Sequence, residues 1–260
     1  MNTLEFRNIT FSYKDNLVFD NLSLKIKKGQ NTMIIAPLAC GKTTLAKLFQ
    51  NKLKKKGEYL INGVEVVNSN AYVVDRFVNV VYKNDDYDSY KVVDLLFDNV
   101  LLDDLKEQEK EVQKIIKYFN LNDIISYKLN DLTIELKYYI LIIINLIKKD
   151  IYLVIDDLLC YLKKEYINKI YTFAKKNKIT IINISSRLDE VFFSSYLICL
   201  YNNNIAMEGE ILSCLKEEKL LKRLGYKLPF MYDLSLQLNY YEVLKGIYLD
   251  YEELEANIWK

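Results

Sequence analysis

Apolar and polar residues alternate through Leu4-Glu5-Phe6-Arg7-Asn8-Ile9-Thr10 and again through Leu22-Ser23-Leu24-Lys25-Ile26. That period of two predicts a pair of strands, each with one buried face, joined by a loop that carries Tyr13. Lys28-Gly29-Gln30 then turns the chain into an apolar strand, Thr32 to Ile35, and Leu45, Leu48 and Phe49 mark one face of a helix over Thr43 to Lys52. Gly57 to Gly63 reads as a strand closed by the Asn62-Gly63 turn. From Tyr90 to about Leu132 the text turns acidic and helical, with Val93, Leu96, Phe97, Val100 and Leu101, then Val112, Ile115, Ile116 and Phe119 at helical spacing. A helix over Glu135 to Lys149, a strand from Ile151 to Ile155, a helix over Lys163 to Lys176, a strand from Ile179 to Asn183 and a strand near Leu197 to Leu200 follow. Strands alternating with helices predict a parallel sheet covered on both faces. Beyond Glu217 short helical segments form an appendage, and no repeat is visible.

The chain has 260 residues, 51% of them hydrophobic, enough for a large core. Its net charge of +1 argues against a nucleic-acid binder. The cluster Lys52 to Lys56 is expected to sit at the negative end of the preceding helix. Cys40, Cys160, Cys199 and Cys214 have no metal-ligand spacing and there is no histidine, so reduced thiols are expected. The residues from Met1 to Phe6 lack the basic and apolar regions of a signal peptide. The longest apolar run, Tyr138 to Ile147, is bounded by Lys137 and Lys148. As a helix it spans about 15 Å against roughly 30 Å of bilayer core, which suits a buried helix and not a membrane span. Seven glycines and two prolines are few, while Tyr, Ile, Asn and Lys abound. Such a composition is expected from a mutational bias toward A/T-rich codons, which would erode glycine-rich motifs without selection for a new function.

Candidate chemistry lies where the third strand meets its helix. Ala36-Pro37-Leu38-Ala39-Cys40-Gly41-Lys42-Thr43-Thr44 keeps Gly41, Lys42 and Thr43 of the phosphate-binding pattern G-x-x-x-x-G-K-[ST], with Ala36 at the first glycine position. In that pattern backbone N–H groups cradle phosphates, the lysine reaches the β and γ phosphates and the hydroxyl meets magnesium. Should Ala36 or Ala39 need positive φ, its Cβ costs roughly 1 kcal/mol. The strand Tyr152-Leu153-Val154-Ile155 ends in Asp156 and Asp157. Two acids after a strand are commonly a turn or helix cap, but after a Gly-Lys-Thr loop they fit a magnesium carboxylate, Asp156, followed by a residue that orients water, Asp157.

On these residues the chain resembles an ATP-binding subunit of an ABC transporter over residues 3 to 215. Phe11-Ser12-Tyr13 is similar to the segment whose aromatic stacks on adenine, and Leu22 to Gln30 to the strand and turn before the phosphate loop. Gly209, after Ala206-Met207-Glu208, matches the last strand and turn. Leu224-Gly225, Leu228-Pro229, Leu234, Leu238 and Glu252-Glu253-Leu254 resemble the C-terminal extension of energy-coupling factor (ECF) transporter ATPases. The resemblance implies an α/β P-loop NTPase core with a mixed, largely parallel sheet, an antiparallel β subdomain and a helical insertion at about 88–149, all within residues 1–215. A small helical extension then covers 216–260.

The departures from the family pattern are as specific. Lys83, after Val81-Tyr82, stands where the family has a glutamine that senses magnesium and the membrane partner. The signature Leu-Ser-Gly-Gly-Gln falls on Leu132-Thr133-Ile134-Glu135-Leu136, without either glycine, and Glu135 would repel the γ phosphate that the motif caps in the opposite subunit. Asp157 is one methylene shorter than the catalytic glutamate, and the loop after it, Cys160-Tyr161-Leu162-Lys163, keeps only the leucine. Ser186, after Ile182-Asn183-Ile184-Ser185, replaces the switch histidine, and its short hydroxyl neither carries charge nor reaches as an imidazole does.

The resemblance thus implies an ATP- and Mg2+-binding subunit of an ECF-type importer for vitamins or metal ions, degenerate for hydrolysis. Its implied partners are a second ABC ATPase subunit in a heterodimer, a membrane scaffold and a substrate-binding membrane subunit, with no nucleic acid. Its implied place is the cytoplasmic face of the membrane, held there through those partners. The alternatives are a non-catalytic structural subunit that docks the scaffold and, with less support, a soluble ABC protein outside transport.

Overall fold

The computed structural model describes residues 2–83, 87–249 and 251–258, the last residue by its backbone. Met1, Trp259 and Lys260, the outer limits of the two expected regions, lie outside the described residues.

The first two strands, β1 (Thr3–Tyr13) and β2 (Asn16–Lys27), form an antiparallel hairpin that pairs Tyr13 with Asn16. Strand β3 (Thr32–Ile35) leads into helix α1 (Lys42–Phe49), and β4 (Lys56–Ile61) and β5 (Val64–Glu65) follow. Asn62 and Gly63 take φ of 56° and 82° in the turn between β4 and β5, as the Asn-Gly signal requires. Next come α2 (Tyr72–Phe77), β6 (Val78–Val81), α3 (Val92–Asn99), α4 (Leu105–Phe119) and α5 (Ile134–Leu146). The second half of the core is β7 (Tyr152–Asp156), α6 (Lys164–Lys176), β8 (Thr180–Ser185), β9 (Tyr196–Tyr201) and β10 (Asn204–Glu210). Among the described residues, four helices follow: α7 (Ile211–Lys216), α8 (Glu218–Arg223), α9 (Phe230–Tyr240) and α10 (Tyr251–Ile258).

Two sheets result. The antiparallel sheet has the order β2-β1-β4-β5, and the six-stranded sheet the order β10-β9-β3-β8-β7-β6, parallel except for the β9–β10 pair. Because the central strands are covered on both sides, their residues alternate between two apolar clusters rather than between core and water. In β7, Tyr152 and Val154 join the cluster containing α1 and the antiparallel sheet, while Leu153 and Ile155 join the cluster of the helical insertion, α5 and α6. In β3, Ile34 faces the first cluster and Met33 and Ile35 face a third, shared with Leu221, Tyr226 and Tyr232 of the C-terminal segment. Leu45, Leu48 and Phe49 of α1 are fully buried, each worth about 1.5–3 kcal/mol relative to exposure.

Three expectations need correction. In α3 the buried residues are Val92, Leu95 and Leu96, while Leu101 lies past the helix end and is 84% exposed. The N–H groups of Val92 and Val93 donate to Tyr127 O and Ile125 O, which fixes the helix start with Val92 inward. The helix over Thr43 to Lys52 ends at Phe49, because Asn51 adopts φ of 55° and breaks it. The lysines from 52 onward are therefore not in its last turn; Lys55 donates to Asn51 Oδ1 at 2.7 Å, and Lys52 turns elsewhere. No helix among the described residues is long and apolar enough to cross a membrane, and Tyr139 to Leu146 of α5 are buried inside the fold.

Candidate nucleotide site

The loop between β3 and α1 is tight. Ala36 N–H donates to Ser185 O at 3.1 Å, which ties the loop to β8, and Cys40 N–H turns back to Pro37 O. Gly41 opens α1 at φ of 82°, and a Cβ on it would lie 2.5 Å from Val18 Cγ1 and 3.0 Å from the Phe19 ring. The hairpin thus presses on the loop at the one position where only glycine fits. The two alanines differ: Ala39 has φ of 64°, in the left-handed region, whereas Ala36 is outside it and fully buried. The loop's strain is therefore at Ala39, and the Ala36 methyl packs in the core among the residues around Ile34 and Leu45. Leu38 at the loop tip is 82% exposed, Pro37 and Cys40 are half-buried, and Thr44 is buried.

Behind the loop opens a cavity of about 440 Å3 lined by Lys42, Thr43, Lys47, Lys52, Tyr82, Lys83, Asp156 and Asp157. Strand β7 delivers Asp156 to Thr43, whose hydroxyl donates to Asp156 Oδ2 at 2.7 Å. Burial raises the Asp156 carboxyl, and the Thr43 bond works against that shift. A hydroxyl and a carboxylate held together at the mouth of a phosphate loop are the oxygen donors a divalent cation takes, so this pair fits one. The Lys42 ammonium folds onto the loop, donating to Ala36 O and Pro37 O at 3.2 Å each.

Asp157 adopts φ of 59°, and its N–H donates to Ile184 O at 2.8 Å, extending the β7–β8 pairing by one residue before the chain swings away. That swing aims the carboxylate at Lys83, which follows β6 on the neighbouring strand. Lys83 Nζ is 3.0 Å from Asp157 Oδ2, donates to Tyr161 Oη at 3.3 Å and lies 4.8 Å over the Tyr161 ring. Partial burial lowers the Lys83 ammonium, but its bonds to Asp157 and Tyr161 outweigh that and leave it raised. The other oxygen of Asp157 accepts from Ser186 N–H at 3.4 Å and from Ser185 Oγ at 3.5 Å. The Asp157 carboxylate is thus occupied from both sides by the chain's own donors.

The segment expected to hold the signature, Leu132 to Leu136, lies at the start of α5. Thr133 caps the helix by accepting from Leu136 N–H at 3.4 Å, Leu132 is half-buried, and Ile134 is 62% exposed. Glu135 Oε1 accepts from Lys163 N–H at 2.9 Å and Oε2 lies 3.8 Å from Lys163 Nζ, so this acid ties α5 to α6. Tyr13, at the end of β1, is 44% exposed, stacks edge-on against Phe11 at 4.8 Å and does not line the cavity.

Sequence reasoning missed Lys47 and Lys52 as cavity residues. Lys52 lies 5.7 Å over the Tyr82 ring, and Tyr82 Oη donates to Gln50 Oε1 at 2.9 Å. A lysine at the end of a helix carries no signal of such a role in its spacing; the left-handed Asn51 that redirects Lys52 does.

Residues 19–158 match the family described as ABC transporter. The ECF transporter ATP-binding protein EcfA1 of Mycoplasmopsis synoviae is 25% identical, and the similarity covers 99% of this chain and all of that one. The ECF transporter ATP-binding protein EcfA of Pediococcus pentosaceus is 24% identical over 88% of this chain and 86% of its own length. Among solved structures, cbiO1 from Clostridium perfringens, part of the ABC transporter complex cbiONQ, superposes with a TM-score of 0.71 at 18% identity, covering 85% of this chain and 94% of the other.

Proposed function

Because the chain belongs to the ABC transporter family, we propose that it is the ATP-binding subunit of an ECF-type importer whose own hydrolytic site is disarmed. The similarity to EcfA proteins along nearly the whole chain supports the transporter type. Lys42, Thr43 and Asp156 around one cavity support nucleotide binding; Tyr13, outside the cavity lining at the end of β1, is the adenine contact on the family resemblance alone. Thr43 and Asp156 are the residues that would hold magnesium, which when bound neutralises phosphate charge.

The observation that carries the disarmed site is the pairing of Asp157. A base that orients water needs a free carboxylate oxygen facing the nucleotide. Asp157 is short by one methylene, its Oδ2 is bonded to Lys83, and its Oδ1 accepts from Ser186 N–H. Ser186 supplies no imidazole.

Glu135, at the expected position of the capping signature, puts a carboxylate tied to Lys163 where that signature's glycine would approach the opposite subunit's nucleotide. A homodimer would combine both defects at each site. The reading therefore pairs this chain with a second, competent ATPase, on a membrane scaffold at the cytoplasmic face, with a separate membrane subunit choosing the vitamin or metal ion. Helices α8 to α10 support reading the C-terminal segment as the extension expected of this type.

Calorimetric titration of the full chain with ATP tests the reading: weak, saturable binding that Lys42→Ala abolishes is expected. No binding at millimolar ATP, or equal binding by the variant, would transfer the assignment to a structural subunit that only docks the scaffold.

A further inference from the structure

Among the described residues, four lysines and two aspartates line the nucleotide cavity, and of the aspartates only Asp156 is expected to meet a metal. One of the two carboxylates is already neutralised: Asp157 Oδ2 lies 3.0 Å from Lys83 Nζ. The Lys83 side chain keeps 31% of its surface exposed, so its ammonium is paired with Asp157 and still borders the cavity. A divalent cation entering here finds one buried carboxylate, Asp156, and a fixed ammonium at the other. A metal-free triphosphate carries two more negative charges than its magnesium complex and meets Lys42, Lys47, Lys52 and Lys83 along the same walls. The charge a metal would bring is already built into the protein.

We propose that this cavity binds its nucleoside triphosphate without requiring a divalent cation, the Lys83 ammonium supplying on the Asp157 side the positive charge that a metal otherwise contributes. The proposal rests on the nucleotide-site reading above. It assigns to Lys83 a direct role in choosing the ionic form of the ligand: the free polyanion is accepted as readily as the metal complex. Lys47 and Lys52 reinforce the preference from the α1 side.

The test is equilibrium binding of ATP to the full chain, by calorimetry, in excess chelator and separately in saturating Mg2+. The parent is expected to bind at least as tightly in chelator as in Mg2+. Lys83→Gln should weaken chelator binding by about tenfold or more, the scale of one lost charge-assisted contact, and change Mg2+ binding much less. Lys83→Arg, which keeps the charge, should retain chelator binding. Parent binding that is tenfold tighter with Mg2+ than without, or equal losses in the Arg and Gln variants, would overturn the inference and leave the nucleotide site standing. Absence of binding in both conditions would instead overturn the nucleotide-site reading itself, and this inference with it.

Discussion

Restoring glycine separately at Ala36 and at Ala39 should move stability in opposite directions, although both positions belong to one loop. Ala39 sits at φ of 64°. An L-residue there costs roughly 1–2 kcal/mol, and glycine removes that cost while losing about 0.5–1 kcal/mol through greater freedom of the unfolded chain. Ala39→Gly should therefore stabilise by about 0.5–1 kcal/mol. Ala36 is outside the left-handed region, fully buried, and bonded through its N–H to Ser185 O. Ala36→Gly removes a buried methyl worth roughly 0.8 kcal/mol and adds the same unfolded-state penalty, a destabilisation of about 1.5 kcal/mol. Urea unfolding of the nucleotide-free chain followed by circular dichroism resolves a difference of this size, provided the denaturant slope is unchanged. A stabilised Ala36→Gly, or an Ala39→Gly that loses as much as Ala36→Gly, would refute the placement of strain at Ala39.

Glu190 is 5% exposed and its Oε2 has no hydrogen-bond partner among the described residues; burial, reinforced by Asp189, pushes its carboxyl up to about 7 despite Arg187. The folded chain holds that proton after the unfolded chain has released it, so stability should fall as pH rises from about 4.5 to about 7. Glu190→Gln should then gain up to about 3 kcal/mol over the parent at pH 8 and almost nothing at pH 4, read from urea midpoints at the two pH values. Tyr59 donates its buried hydroxyl to Phe49 O at 3.0 Å, closing the end of α1. Tyr59→Phe should cost about 1–2 kcal/mol and appear as a lowered thermal midpoint; no change would mean that the carbonyl finds another donor.

What could be read in the sequence was what depends on local chemistry. The apolar run into Gly-Lys-Thr fixed β3, the loop and α1 because a strand, a glycine turn and an amphipathic helix each leave their own pattern over a few residues. Val112, Ile115, Ile116 and Phe119 were legible for the same reason, and all four are buried. The start of α3 was not, because Val92 and Val93 are equally apolar and the choice is made by carbonyls of Ile125 and Tyr127, more than thirty residues away. Among the described residues, seven of the thirteen non-glycine residues with left-handed φ are asparagine, which replaces glycine at turns in a glycine-poor chain and hides helix ends such as the one at Asn51. The bond between Lys83 and Asp157 joins residues 74 positions apart. Each substitution was visible alone; that they neutralise one another emerges only when β6 and β7 lie side by side.

The central claim is that this chain's own site holds nucleotide without turning it over, because Asp157 is engaged by Lys83 and Ser186. Steady-state phosphate release from the assembled complex tests it most directly, with the partner ATPase's catalytic glutamate replaced by glutamine so that only this chain's site can report. The account predicts release no faster than the same complex carrying Lys42→Ala in this chain. Turnover at an ordinary enzymatic rate of about 1–10 per second from the unaltered chain would contradict it, and would mean that the Asp157–Lys83 pair opens to perform the chemistry.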